Sequence, residues 1–211
     1  MARTYGILNS MADKPGSALL IVDVQNDFCQ GGALEVPRGD VVVPALNRFA
    51  ERVGAEGGII CASRDWHPAR SAHFKAFGGT WPVHCVAGTP GASFHPDLRL
   101  PPDALVISTG QEEAEDGYSA FEGVTDSGQP LAVALRSRGV RRLYVGGLAT
   151  DYCVKHSVLD GLKVGFRVTV LIDAIAGVDL QPGDSARALN EMEEAGAEFM
   201  ATEDELPTAI P

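Results

Sequence analysis

The sequence predicts an α/β fold: a single-domain, doubly wound, mostly parallel sheet of six strands with helices on both faces. Three observations lead there. Apolar runs of strand length alternate with segments of helical spacing along the chain, as parallel strands joined by right-handed crossovers require. The first run, Ala18 to Val24, is apolar almost without interruption, which marks a strand covered on both faces. Asp23, Asp65, Thr109 and the turn from Gly146 to Asp151 all fall at the carboxyl ends of such runs, where sheets of this class bind ligands.

The elements follow in order. After the first strand, Gln25 to Gly39 is a polar loop. Asp40 has the character of an N-cap, and Val43, Leu46, Phe49, Ala50 and Val53 have helical spacing up to Gly57-Gly58. Ile59 to Ser63 is the second strand and delivers Asp65 at its end. Arg64 to Pro102 is too long for an idle connection, so a functional loop is expected there. Ala104 to Ser108 is the third strand, followed by a turn-rich stretch from Gly110 to Gly128. Pro130 to Arg138 reads as a helix stopped by Gly139, and Arg142 to Gly146 as the fourth strand. Thr150 or Asp151 caps a helix reaching about Leu162. Arg167 to Ile172 is the fifth strand, Asp184 or Ser185 opens the last helix, and Glu198 to Ala201 is a short sixth strand. Residues 1–16 are expected to form a loose arm before a domain spanning 17–211.

Composition excludes several classes. A net charge of −11 argues against nucleic acid and anionic membranes as partners. No apolar run approaches the length of a membrane span. Met1 to Gly16 lacks the apolar core of a signal peptide, so a cytoplasmic setting is expected. Cys29, Cys61, Cys85 and Cys153 are scattered with no CxxC, which predicts free thiols.

Three of the five histidines lie close together, with an aspartate. Asp65 and His67 are two apart and share one side of an extended segment. His73 and His84 return to them through a loop that Gly78-Gly79 and Pro82 permit. Imidazole nitrogen with carboxylate oxygen suits one divalent ion such as Zn, Fe or Mn. The spacing fits no zinc-finger pattern, so an open site is expected.

A second constellation joins strand to helix at Gly146-Gly147-Leu148-Ala149-Thr150-Asp151-Tyr152-Cys153. A cysteine in a first helical turn feels free N–H groups and the positive end of the helix dipole, which favour thiolate. The same N–H groups, with that of Ala149, can receive an oxyanion. Asp23 is the candidate base for a Cys153 nucleophile. The bland alternatives are an inert buried Cys153 and an Asp23 that only accepts loop hydrogen bonds. Cys85 is a rival nucleophile, read as structural because His84 beside it is assigned to the metal.

The stretches Val22-Asp23-Val24-Gln25-Asn26-Asp27-Phe28-Cys29, Ser63-Arg64-Asp65-Trp66-His67, Trp81-Pro82-Val83-His84-Cys85-Val86-Ala87-Gly88-Thr89, Phe94-His95-Pro96, Tyr118-Ser119-Ala120-Phe121 and Gly147 to Val154 resemble the isochorismatase-like cysteine hydrolases, in their nicotinamide-hydrolysing branch. The resemblance runs from about Ala18 to the C-terminus. It implies a small-molecule amide substrate, nicotinamide, converted to nicotinate and ammonia in pyridine nucleotide salvage. It also implies Asp23 as base, Cys153 as nucleophile and Asp65, His67, His73 and His84 as metal ligands. Phe28 and Trp81 would flank the pyridine ring, and Tyr118 and Leu148 would line the pocket. A cis peptide is implied between Leu148 and Ala149, whose N–H serves the oxyanion. Homo-oligomers are a further expectation of the family.

The chain departs from that pattern at one position. Thr109 stands where the family carries a lysine, and a threonine supplies no charge to favour the Asp23 carboxylate or a Cys153 thiolate. Lys75 is the nearest lysine to the metal segment in the sequence. Two alternatives stand: hydrolysis of another carboxamide or a ureido compound by the same fold and nucleophile, and, following from Thr109, a metal-containing nicotinamide binder of low activity. The acidic run Glu112-Glu113-Ala114-Glu115-Asp116 reads as a solvated face, with a lid or oligomer surface as its alternative. His95 and His156 read as packing residues.

Overall fold

The computed structural model describes residues 16–206. The expected arm at 1–16 therefore lies outside the described residues, except Gly16, which already belongs to the first strand. The strands are β1 (Gly16–Val22), β2 (Ile59–Asp65), β3 (Leu105–Thr109), β4 (Val124–Thr125), β5 (Val140–Leu148), β6 (Arg167–Ala176) and β7 (Glu198–Met200). Their order across the sheet is β4-β3-β2-β1-β5-β6-β7. Every pairing is parallel except that of β4 with β3. The sheet thus has seven strands rather than six. The added one is two residues long and antiparallel, inside the turn-rich stretch, too short to leave a periodic signal.

β1 lies in the middle, and Ala18 to Val22 are wholly buried, as the unbroken apolar run requires. Its alternate side chains face two cores. Leu19 and Ile21 pack with Leu46, Phe49 and Val53 of α1 (Val42–Ala55). Leu20 and Val22 pack with Leu131 and Leu135 of α2 (Leu131–Arg136), Val158 of α3 (Lys155–Lys163) and Met192 of α4 (Asp184–Glu194). Helices therefore cover both faces, and the site stands where the chain leaves the carboxyl ends of β1, β2, β3 and β5.

Three local readings change. Asp40 does not cap α1: it sits in a preceding 3-10 turn, and its carboxylate accepts the Gln30 N–H at 3.2 Å. Gly146-Gly147 does not end β5, which runs on to Leu148. Gly147 has φ 124°, and a Cβ there would lie 2.1 Å from the Val22 carbonyl oxygen, so glycine allows two central strands to meet closely. Finally, no α-helix begins at Thr150 or Asp151. A π-helical turn, Thr150–Val154, intervenes, with the Val154 N–H donating to the Ala149 carbonyl at 3.1 Å.

Candidate active site and metal centre

Asp23 is the first residue after β1 and adopts a left-handed backbone, φ 50°, which aspartate tolerates better than most residues. It is buried, and the Ser63 hydroxyl donates to its Oδ1 at 2.7 Å. One ligand atom from each of Asp23, Asp65 and Cys153 lies within 4.8 Å of the others, all buried. The Cys153 thiol faces the Asp23 carboxylate, so residues 130 positions apart meet in one crevice. The Leu148–Ala149 peptide is cis.

The histidines form the other half. His67, His73 and His84 each bring one ring nitrogen within 4.8 Å of the others. Each Nδ1 faces an oxygen that can only accept: the Gly110 carbonyl for His67 at 3.1 Å, the Asp116 carboxylate for His73 at 2.9 Å, and the Pro82 carbonyl for His84 at 2.8 Å. Nδ1 therefore carries the proton in all three rings, and the Nε2 lone pairs turn inward. Asp65 Oδ2 completes the set, 3.4 Å from His67 Nε2 and 3.6 Å from His84 Nε2. Among the described residues, His67 Nε2 is the one buried side-chain polar atom without a hydrogen-bond partner. A buried acceptor left open costs free energy unless a ligand fills it. The donor set and that orphaned nitrogen both fit a divalent ion.

Another group of donors is not of this kind. Cys29, Asp40 and His95 also offer atoms within 4.8 Å of one another. The Asp97 N–H, however, donates to His95 Nδ1 at 3.2 Å, so Nε2 keeps the proton and points it at Asp40 Oδ1, 3.4 Å away. That trio is a satisfied hydrogen-bond cluster, and His95 packs as the sequence suggests.

Electrostatics connect the two halves. Burial and the neighbouring Asp65 charge push Asp23 well above the usual carboxylate range. Burial would raise Asp65 too, but the adjoining His67 and His84 imidazoles outweigh it and hold Asp65 below its usual range. Burial, then the charges of Asp23 and Asp65, push the Cys153 thiol well above its ordinary value. The thiolate expected from a helix start is thus not favoured by the protein groups alone. Burial, with two carboxylates close by, opposes it. Burial also lowers His73, despite its bond to Asp116, which favours the neutral imidazole.

Aromatic side chains wall the crevice. The Phe28 ring lies 5.4 Å from that of His84, and Trp81 packs edge-on to Tyr152 at 4.8 Å. The Trp81 indole N–H donates to the Tyr118 hydroxyl at 2.8 Å, and Tyr118 stacks on His156 at 5.4 Å. His156 thus packs on the Tyr118 ring, as the sequence suggests. Leu148 is buried beside Phe28, Cys85 and Ala149. Three supporting residues were not singled out in the sequence. Ser63 holds Asp23. Gln25 grips the Asp65 backbone, its Oε1 accepting the Asp65 N–H and its Nε2 donating to the Asp65 carbonyl, both at 2.8 Å. Asp116 holds His73 and leaves the acidic run partly a wall of the site, not only a solvated face. Ser63 and Gln25 lie two residues from Asp65 and Asp23, inside the stretches that carry the family resemblance.

Residues 17–204 match the family model described as the isochorismatase domain. The chain belongs to the isochorismatase family. It is 43% identical over 202 residues to nicotinamidase of Escherichia coli strain K12, covering 87% of this chain and 93% of that one. Its fold superposes with a TM-score of 0.82 on the pyrazinamidase of Pyrococcus horikoshii in complex with zinc, at 46% identity, covering 89% and 99% of the two chains. A protein named PnC1 from L. infantum, in complex with nicotinate, gives a TM-score of 0.79 at 34% identity, covering 90% and 94%.

Within this isochorismatase-family site, Thr109 pairs with Asp65 in the β2–β3 register. Its hydroxyl is shared between the Arg64 carbonyl at 3.2 Å and Asp65 Oδ1 at 3.1 Å. Among the described residues no lysine or arginine nitrogen lies within 4.0 Å of the Asp23 or Asp65 carboxylate. Lys75 is exposed in a 3-10 turn. Arg64 turns away, over the Trp66 ring at 3.9 Å. No helix of the described residues is long and apolar enough to cross a membrane.

Proposed function

We propose that the chain is a nicotinamidase, a cysteine amide hydrolase that converts nicotinamide to nicotinate and ammonia. The observation that carries the reading is the meeting of Asp23, Asp65 and Cys153 within 4.8 Å, beside three imidazoles whose open nitrogens converge. The named activity of the Escherichia coli relative and the nicotinate in the L. infantum protein support the substrate. The four free cysteines support a reducing, cytoplasmic setting.

Asp65, His67, His73 and His84 would hold one divalent ion; the zinc in the Pyrococcus horikoshii protein supports zinc first among Zn, Fe and Mn. Bound there, the ion supplies positive charge and a coordination position for a pyridine nitrogen. Phe28, Trp81, Tyr118 and Leu148 line the ring and exclude water. Asp23 takes the Cys153 proton as the sulfur attacks the carboxamide carbon. The oxyanion is received by the N–H groups of Ala149 and Cys153. Asp23 returns the proton to the departing ammonia, leaving a thioester on Cys153. A water, deprotonated by Asp23, then attacks the thioester carbon; the C–S bond breaks, Asp23 returns the proton to the Cys153 sulfur, and nicotinate leaves.

A second reading rests on Thr109. With no lysine beside Asp23 among the described residues, the chain would bind nicotinamide through its metal and turn it over slowly. Ammonia release from nicotinamide decides between them. Rapid release, lost with a chelator and restored by zinc, supports the hydrolase. Tight binding without ammonia overturns it in favour of the binder.

A further inference from the structure

We infer that Asp116 is a positioning residue for the metal centre: through His73 it sets how tightly a divalent ion is held. This rests on the reading that Asp65, His67, His73 and His84 are ligands. The three imidazoles differ in what fixes them. His67 and His84 donate Nδ1–H to backbone carbonyls, of Gly110 and Pro82, whose places the fold dictates. His73 alone donates to a side chain, and that side chain is charged.

Asp116 reaches His73 from the loop after β3. The same loop supplies the Gly110 carbonyl to His67, and its Glu113 carbonyl accepts the Ala72 N–H at 2.7 Å. The loop therefore latches onto the ligand-bearing segment at three points, of which Asp116 is the outermost. Its side chain is 66% exposed, whereas that of His73 is 3% exposed. A carboxylate on the outer nitrogen fixes both the tautomer and the ring angle of a ligating imidazole and makes its inner nitrogen a better donor. Without Asp116, the His73 ring would lose the only hydrogen-bond partner of its Nδ1 among the described residues. The ring would then rotate between Trp81, 6.4 Å away, and Tyr118, 5.3 Å away, and present either nitrogen inward.

Zinc affinity of the metal-free chain, measured by competition with a chromogenic chelator, tests this without recourse to turnover. Asp116→Ala is expected to weaken zinc binding by about 10–100-fold. Asp116→Asn keeps an accepting oxygen and is expected to recover part of that loss. Glu113→Ala removes an equal charge from the same loop but leaves its carbonyl, and is expected to bind zinc as the parent does. Metal-free melting temperatures of the variants separate the cost of an unpartnered His73 N–H from the loss of zinc affinity. The inference is overturned if Asp116→Ala binds zinc as tightly as the parent, or if Glu113→Ala loses as much. If the parent itself binds no divalent ion, the ligand assignment fails and takes this inference with it.

Discussion

The Thr109 hydroxyl donates to Asp65 Oδ1 at 3.1 Å, and so brings a hydrogen bond but no charge to the pocket that holds Asp23 and Cys153. The consequence is electrostatic. Two buried carboxylates and a thiol share that pocket, and burial with the neighbouring charges pushes both Asp23 and Cys153 well above their ordinary ranges. Thr109→Lys should place a cation beside them and lower the Asp23 pKa by about 1–3 units. Asp23 must be ionised to act as base, so the acid limb of the kcat/KM profile should move down in pH by a similar amount. Turnover at neutral pH should rise about tenfold or more. An unmoved limb in a correctly folded Thr109→Lys protein would show that the metal already supplies the charge.

Cys153 and Cys85 can be separated by substitution. Cys85 is wholly buried in the α1-side core, and burial together with the Asp65 charge pushes its thiol well up. Its backbone N–H, not its sulfur, is used, donating to Asp27 Oδ2 at 2.7 Å. Cys153→Ala should reduce ammonia release by about 10⁴-fold or more, as removal of a nucleophile does. Cys85→Ala should retain most activity and lose stability only. Mass spectrometry during turnover should find the acyl adduct on the peptide carrying Cys153; an adduct at Cys85 would reverse the assignment.

How much of this was legible in the sequence depends on the range of the interaction. The apolar run Ala18–Val22 announced a doubly covered strand because burial on both faces leaves no room for alternation. Asp65 and His67 at alternate positions, with His73 and His84 returning, announced the cluster because ligand chemistry is carried by residue type. The glycines at 146 and 147 were misread as a strand end. Their role is a close approach to Val22, a non-local contact that local propensity cannot report. The partner of each histidine Nδ1 was equally invisible, since two of the three are backbone carbonyls, which every residue carries. The thiol pKa was misjudged for the same reason: the helix start is local, whereas the opposing carboxylates arrive from β1 and β2.

Asp23 should trade stability for function. Its folded pKa lies above the unfolded value, so its contribution to stability is full below the unfolded pKa and is lost as pH rises through the folded one. At pH 7 in the metal-free chain, an ionised Asp23 faces Asp65 in a buried site and costs stability. Asp23→Asn removes that charge and can still accept the Ser63 hydroxyl. It should abolish turnover while raising the metal-free melting temperature at pH 7, by about 2–4 °C per kcal/mol recovered. The gain should shrink as pH falls towards 4. Asp65 has the opposite sign: its folded pKa is depressed, so its stabilisation is present above the unfolded value and lost on acidification. Asp65→Asn should therefore lower the melting temperature at pH 7. Calorimetry of both variants across pH checks the signs, and a destabilised Asp23→Asn would contradict the account.

Gln25 offers the sharpest test of how the fold holds the site. Its buried side chain makes three hydrogen bonds: with the Asp65 N–H and carbonyl at 2.8 Å each, and to the Ala92 carbonyl at 2.9 Å. The amide thus mimics a strand edge, tying the last residue of β2 both to the chain leaving β1 and to the loop at Ala92. Gln25→Ala leaves the buried Asp65 N–H and carbonyl without that partner, at about 1–3 kcal/mol per unsatisfied group. The site residue whose backbone is released is Asp65, whose Oδ1 holds Thr109 and whose Oδ2 faces His67 and His84. The substitution should therefore loosen zinc as well as lower stability. Gln25→Glu separates the two effects, because it keeps the acceptor for the Asp65 N–H but puts a carboxylate oxygen against the Asp65 and Ala92 carbonyls. It should destabilise at neutral pH and recover on acidification as the new carboxyl regains a proton to donate. If Gln25→Ala lowers the melting temperature yet leaves zinc affinity untouched, the Asp65 backbone is held by its β3 partner alone and Gln25 serves only the loop.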